Sequence, residues 1–397
     1  MVKNEFAVIR RALQSAIPFI DAYAITDTGS VDRTPDLIRG IMRDARIPGD
    51  VYNSSWAEFS PSFSDWATNR NNMLANAVTE CEHQGLPLDE TFTLIMDADD
   101  MIEFPDMGVL DIPLARALRE QEVLFAPRLD IKNTAYRMRY NEGNIPPMRA
   151  AFPDNYRRPQ MLRLDCVARS DPGFAYSGVI HEYLGLETHG PILTCPQYRR
   201  IGGGARGGED KYLRDAMLLE KAVEIFPEDA ARYTYYLAQS YRDAGQLDKA
   251  VDAYARRATM SEGWDEEIWS AWYERAKLIE RIWASSMPLK VVPGYLSAFA
   301  ERPQRAEPLW QLMRFLMENE CYAEAWTFGS AAAKIPLDPN ESLFVERDWY
   351  TWVGPLKLAE CAEAIGRDAE AEMIRRTLLA GEGLPMEERA KLIQQHT

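Results

Sequence analysis

Histidine is the scarcest chemistry-bearing residue of this 397-residue chain, with four copies, and the five cysteines (Cys81, Cys166, Cys195, Cys321, Cys361) are scattered, odd in number and never spaced as CxxC. That pattern offers neither a disulfide framework nor a zinc site. No apolar stretch approaches the roughly eighteen residues that a membrane span needs. The opening MVKNEFAVIRR, with Glu5 inside a broken apolar pattern, lacks the continuous apolar region of a signal peptide. Positive charge is also in short supply. A net charge of −16 excludes the surface as a whole from binding nucleic acid or anionic membrane, because such binding relies on Lys and Arg to neutralise phosphate. Together these absences predict a soluble protein of the reducing cytoplasm that makes no membrane contact.

What is present falls into two halves with different rhythms, and the length favours two domains. From residue 1 to 208, short apolar runs alternate with amphipathic segments, the pattern of strands alternating with helices. AYAIT (22–26) reads as a strand, and Thr34 and Pro35 read as the cap and first residue of a helix over 35–46. A second helix spans about Asp65 to Gln84, and TFTLIM (91–96) returns as a strand. This predicts an α/β domain with a mixed, mostly parallel, Rossmann-like sheet, whose ligands collect at the carboxyl ends of the strands. From 209 to 397 the pattern is helical throughout. Leu237, Ala238, Gly245 and Ala250 recur at one offset as Leu358, Ala359, Gly366 and Ala371, and Leu312 and Ala325 form a weaker third copy. These resemble tetratricopeptide repeats, helix pairs that bury an apolar face against a neighbour. A generic helical domain is the plainer alternative.

Three carboxylates, Asp97, Asp99 and Asp100, close the apolar run FTLIM. At the end of a buried strand such a set can hold a magnesium or manganese ion beside a diphosphate. Alternatively, Asp99 and Asp100 cap the next segment and Asp97 is a solvated loop residue. His181 and Glu182 end a second apolar run, GFAYSGVIHEYL (173–184), and read either as reactive groups or as a core histidine beside a surface glutamate. Between 128 and 163, eight basic residues stand against three acidic ones, and they are interleaved with Tyr136, Tyr140, Phe152 and Tyr156. Arginine with aromatics is a composition that meets phosphate and stacks on rings, so Arg137, Arg139, Arg157 and Arg158 are candidates to face an anionic acceptor. The same arginines can instead pair internally.

In order along the chain, VKNE (2–5), DTGSVDRT (27–34), NRNN (69–72) and MDADD (96–100) resemble the motifs of family 2 glycosyltransferases of the GT-A fold. Combined with C-terminal tetratricopeptide-like repeats, the chain is similar to bacterial and phage enzymes related to glycocin S-glycosyltransferases. The resemblance implies a metal-dependent, inverting transfer of a hexose from a nucleoside diphosphate, with uridine diphosphate the expected one, to a hydroxyl or thiol. The acceptor would be a macromolecule, either nucleic acid such as hydroxymethylated-pyrimidine DNA or a protein or glycan held by the repeats. It further implies donor-binding roles for Asp27, Arg70 and Asp97, and places Asp99, Asp97 and His181 on the metal. By the same resemblance Glu182 is the base that takes the acceptor proton. Two departures stand out. The late metal-binding histidine of such enzymes is missing from RRIGGGARGGEDKY (199–212), where the glycines and Arg206 are expected to form either a lid that meets the diphosphate or an interdomain linker, and the first strand, which in such enzymes precedes VKNE, is expected either as a stub or upstream of the sequence given. A scaffold with a decayed transferase domain, and self-association through the repeats, are the readings of another class.

Overall fold

In the computed structural model, the residues described are 1–60, 63–103, 135–141, 160–186, 192–200, 210–285, 290–341, 343–381 and 383–395. They form two compact units, one holding the described residues up to Leu218 and the other those from Leu219 onward.

The first unit opens with α1 (Ile9–Ala16), β1 (Tyr23–Asp27), α2 (Thr34–Ala45) and β2 (Gly49–Asn53). β1 and β2 pair in parallel with Ile25 opposite Val51, and Val2 bridges Asp27 in parallel. Helical spacing brings Ile9 and Leu13 of α1 and Ile38, Ile41 and Met42 of α2 onto single faces. Those faces close on Tyr23 and Val51 as one core. α2 begins one residue earlier than Thr34 as a cap would allow. The acceptor is Asp32, whose carboxylate takes the Thr34 N–H at 3.0 Å as well as its hydroxyl, so a short acidic side chain two positions upstream does the capping.

Next come β3 (Glu58–Ser60), β4 (Phe63–Ser64), α3 (Trp66–His83), β5 (Phe92–Leu94), β6 (Asp100–Glu103), β7 (Ala135–Asn141), β8 (Gln160–Arg163), α4 (Leu164–Ala168), β9 (Tyr176–Ser177), β10 (Tyr183–Leu184) and β11 (Ile192–Arg200). Among the described residues the largest sheet has the order β5–β8–β7–β11–β6, and only its β7/β11 pair is parallel. The expectation of a mostly parallel sheet is therefore corrected. A strand, helix, strand rhythm fixes neither the partner nor the direction of a strand. β5 pairs antiparallel with β8, which returns from about seventy residues later in the chain, rather than with β1.

The second unit is an all-α array, as the repeated residues predict. It comprises α5 (Lys211–Ile225), at whose Leu218 and Leu219 the two units divide, then α6 (Ala230–Asp243), α7 (Leu247–Ala258), α8 (Asp265–Trp283), α9 (Val291–Glu301), α10 (Glu307–Glu318), α11 (Tyr322–Ala332), α12 (Arg347–Thr351), α13 (Val353–Ala364), α14 (Asp368–Ala380) and α15 (Met386–Gln395). α6 packs on α7, α8 on α9, α10 on α11 and α13 on α14. The repeated positions share one role in each copy. Leu237, Leu312 and Leu358 are buried, and Ala250, Ala325 and Ala371 are fully buried where the second helix meets the first. The turn between the helices also recurs. Gly245 donates its N–H to Arg242 O and Gln246 to Tyr241 O; Gly366 and Arg367 do the same to Glu363 O and Ala362 O. This Schellman closure needs a left-handed residue, and the glycines supply it at φ +75° and +73°. In the third copy Glu320 and Cys321 make the same two bonds, with Glu320 at φ +60°.

Among the described residues no helix is long and apolar enough to cross a membrane.

Candidate functional site

α3 organises the polar centre of the first unit. Its N-terminus is capped by Asp65, which accepts from Thr68 N at 3.0 Å. The NRNN stretch then turns three successive side chains to three different tasks. Asn69 clamps the backbone of Ala57, accepting its N–H and donating to its carbonyl, both at 3.1 Å. Asn71 does the same to Tyr176, at 2.7 and 3.0 Å. Arg70, between them, donates Nε to Glu182 at 2.9 Å and Nη2 to Asp97 at 3.1 Å, with Tyr176 beneath its guanidinium at 5.8 Å. Burial opposes the charge on Arg70, yet Asp97 and then Glu182 outweigh it and hold the guanidinium well above its ordinary value. Burial pushes the Tyr176 phenol up to about 12.

The other residues singled out from the sequence lie around this centre or beyond it. Asp27, at the end of β1 and buried, accepts the Ser30 N–H at 3.1 Å and the Ser30 hydroxyl, closing the turn at Gly29. Asp100 donates its N–H to Asp97 O at 3.1 Å and enters β6, so Asp97 to Asp100 form a tight turn that also carries Asp99. His181 sits at φ +53° in the loop between β9 and β10, after Gly178 at φ +94°. Among the described residues no three His, Cys, Asp or Glu side chains converge as a metal site. Arg137 and Arg139 lie in β7, opposite Ile192 and Gln197 of β11. Arg157, Arg158 and Arg206 lie outside the described residues.

In the second unit an open cleft of about 180 Å³ is lined by Arg314, Met317 and Glu318 of α10, Tyr322 of α11 and Lys357 of α13. Arg314 forms a rigid wall, because it donates to Glu280 of α8 at 2.5 Å, to Glu318 at 2.8 Å and to Gln311 at 2.9 Å. Lys357 is held far more loosely. Its side chain is 38% exposed and approaches Glu360 only at 3.9 Å, a geometry in which water competes with the pair. The Tyr322 hydroxyl has no hydrogen-bond partner among the described residues. A loosely held ammonium, a phenol and the Met317 thioether thus face one opening.

Sequence reasoning passed over the two clamping asparagines, although Asn on both sides of an arginine within a helix was a usable signal, since Asn is a poor helix former with a reason to be there. It also passed over Tyr322 and Lys357. Nothing in the sequence joins residues from separate helices of the array.

No protein-family model matches the chain, and no curated protein does. Solved structures that it resembles include MamA, at TM-score 0.34 and 14% identity over 46% of this chain and 87% of MamA. Another is YrrB, described as a TPR protein with an unusual peptide-binding site, at TM-score 0.33 and 14% identity over 47% of this chain and 84% of YrrB. A tetratricopeptide repeat protein from Parabacteroides merdae aligns at TM-score 0.34 and 16% identity, over 47% of this chain and 68% of that one. The metal-dependent hexosyltransferase reading is corrected at this point. In the first unit Arg70 takes up Asp97 and Glu182, the carboxylates which that reading assigned to the donor, the metal and the acceptor proton.

Proposed function

We propose that the chain is a protein-binding scaffold, with the cleft between α10, α11 and α13 as the docking point for an extended peptide segment of a partner. The observation that carries this reading is the pairing of a rigid wall with loosely held groups. Arg314 is fixed by three partners, whereas Lys357 has only its long, solvent-exposed contact with Glu360 and the Tyr322 hydroxyl makes no hydrogen bond among the described residues. An ammonium, a hydrogen-bonding phenol and a polarisable thioether suit a segment that carries a carboxylate beside an apolar side chain. The helices around them are pinned by buried contacts, so little ordering cost falls on the protein when a segment docks.

The test is fluorescence polarisation with a library of labelled acidic decapeptides, read on wild type, Lys357→Glu and Tyr322→Ala. The expected result is a subset of peptides whose affinity falls at least about tenfold, roughly 1.4 kcal/mol, with Lys357→Glu. Binding that both substitutions leave unchanged, or none up to about 1 mM, would refute the reading.

A further inference from the structure

Between α11 and α12 the described residues Glu341, Leu343 and Glu346 lie outside helix, and side chains of the array hold them there. Arg302 Nε donates to the Glu341 carboxylate at 2.8 Å and Arg305 Nη1 at 3.2 Å. Leu343, almost fully buried, donates its N–H to Glu266 at 2.6 Å, and its carbonyl accepts from both Nη atoms of Arg305 at 3.2 Å. The Glu346 carboxylate accepts from the Tyr273 hydroxyl at 3.0 Å, Gln311 at 3.3 Å and Lys277 at 3.4 Å. Backbone groups met by side chains, with flanking carboxylates met by cations, is the way a protein grips an extended peptide.

Gln311 joins this grip to the cleft. Its amide nitrogen donates to Glu346 while its amide oxygen accepts from Arg314 Nε at 2.9 Å, and Arg314 is the cleft wall. On α10, Gln311, Arg314 and Glu318 fall at helical spacing along one face, so the two sites form a continuous track. The two ends of the strap differ. The Glu341 side chain is 3% exposed and the Glu346 side chain 21%. Phe344, between them, stands at φ +49°, a left-handed conformation that is costly for a bulky residue and is retained only under constraint.

We propose that Glu346 is an internal stand-in for a ligand carboxylate: an acidic segment of a partner protein docks along the track from the cleft and displaces Glu346 from Tyr273, Lys277 and Gln311. The inference rests on the scaffold reading and adds a second acidic position to the ligand together with a built-in competitor. The Glu341 end stays anchored by Arg302 and Arg305 and the Glu346 backbone stays with Glu307 and α12, so that only the Glu346 carboxylate turns away from its three donors. Nothing covalent changes. One carboxylate replaces another on the same three donors.

The probe is a labelled synthetic peptide with the sequence of residues 338–348, DPNESLFVERD, added to the full chain. Glu346→Gln should bind it at least tenfold more tightly than wild type. That gain should vanish when the second glutamate of the probe is replaced by glutamine, and when Lys277→Met is added to the protein. Equal affinity for wild type and Glu346→Gln, both shown to unfold cooperatively, overturns the competitor. If Lys357→Glu then still abolishes decapeptide binding, the scaffold reading stands without it; if no peptide binds any form, both fail. Should Glu346→Gln not fold, Glu346→Asp, which keeps the charge but shortens its reach, is expected to give the same gain in weaker form.

Discussion

The Arg70 guanidinium meets the Glu182 carboxylate at 2.9 Å across 112 positions of sequence, and it ties α3 to the loop between β9 and β10. The second carboxylate on Arg70 is unequal to the first, since the Asp97 side chain is 48% exposed and that of Glu182 only 14%. Removing a buried partner leaves the other charge stranded, which typically costs about 3–5 kcal/mol, whereas an exposed pair contributes about 0–1 kcal/mol. Arg70→Met should therefore destabilise the first unit by about 3 kcal/mol and Asp97→Asn by less than about 1 kcal/mol. Hydrogen exchange of the α3 amides and of Tyr176 N–H measures both, and equal losses for the two substitutions would rule out this inequality.

Glu320 occupies the left-handed turn position that Gly245 and Gly366 fill in the other copies. A side chain there costs roughly 1 kcal/mol that glycine avoids. Glu320→Gly should stabilise the array by about 0.5–1 kcal/mol, and Gly245→Ala, where an added Cβ meets nothing within 4 Å, should destabilise it by a similar amount through the backbone alone. Urea unfolding followed by far-ultraviolet circular dichroism reads the two shifts, which must have opposite signs.

Acid should weaken the array through Glu274. Burial favours its neutral form, but Lys277 at 2.8 Å and Arg242 at 2.8 Å outweigh that and bring it from 4.5 down to about 2. In the unfolded chain the carboxylate takes up its proton first, so the stabilisation is complete above about pH 4.5 and is lost as the pH falls to about 2. Wild type should lose on the order of a few kcal/mol across this window, and Glu274→Gln should show a shallower slope while starting from lower stability at neutral pH. Parallel slopes for the two proteins would dismiss Glu274 as the titrating group.

The helical half was legible because its signal is local. Leucine, alanine and glycine at one offset encode a packed face and a left-handed turn, and both belong to the residues that show them. The helices α2 and α3 were legible for the same reason, apart from the cap that fell to Asp32. The sheet was not, because strand direction is set by partners: β5 meets β8 from beyond the segment that separates them, and nothing inside FTLIM records it. The candidate residues suffered similarly. Asp97, Glu182 and Arg70 are a carboxylate pair and a cation in any reading of the sequence, and only their meeting decides that the cation is shared by both acids. The cleft and the strap join residues from α8, α10, α11 and α13, positions that no linear pattern brings together.

A stack of hairpins that touch only their neighbours would be expected to fray from its ends, since each unit adds its own increment of stability. Arg305 departs from that scheme. It lies fully buried between Glu307 at 2.8 Å and Glu341 at 3.2 Å, stacks at 3.7 Å on Trp269 of α8, and holds the Leu343 carbonyl. Glu341 and Leu343 come after α11 in sequence, while Trp269 belongs to the hairpin α8–α9, which precedes α10 and α11. Peeling away the last hairpins would pull Glu341 from a cation that has no route to water, and the penalty would fall on α8, far from the break. The array is thereby made indivisible: it cannot be shortened behind α11 and remain a smaller version of itself.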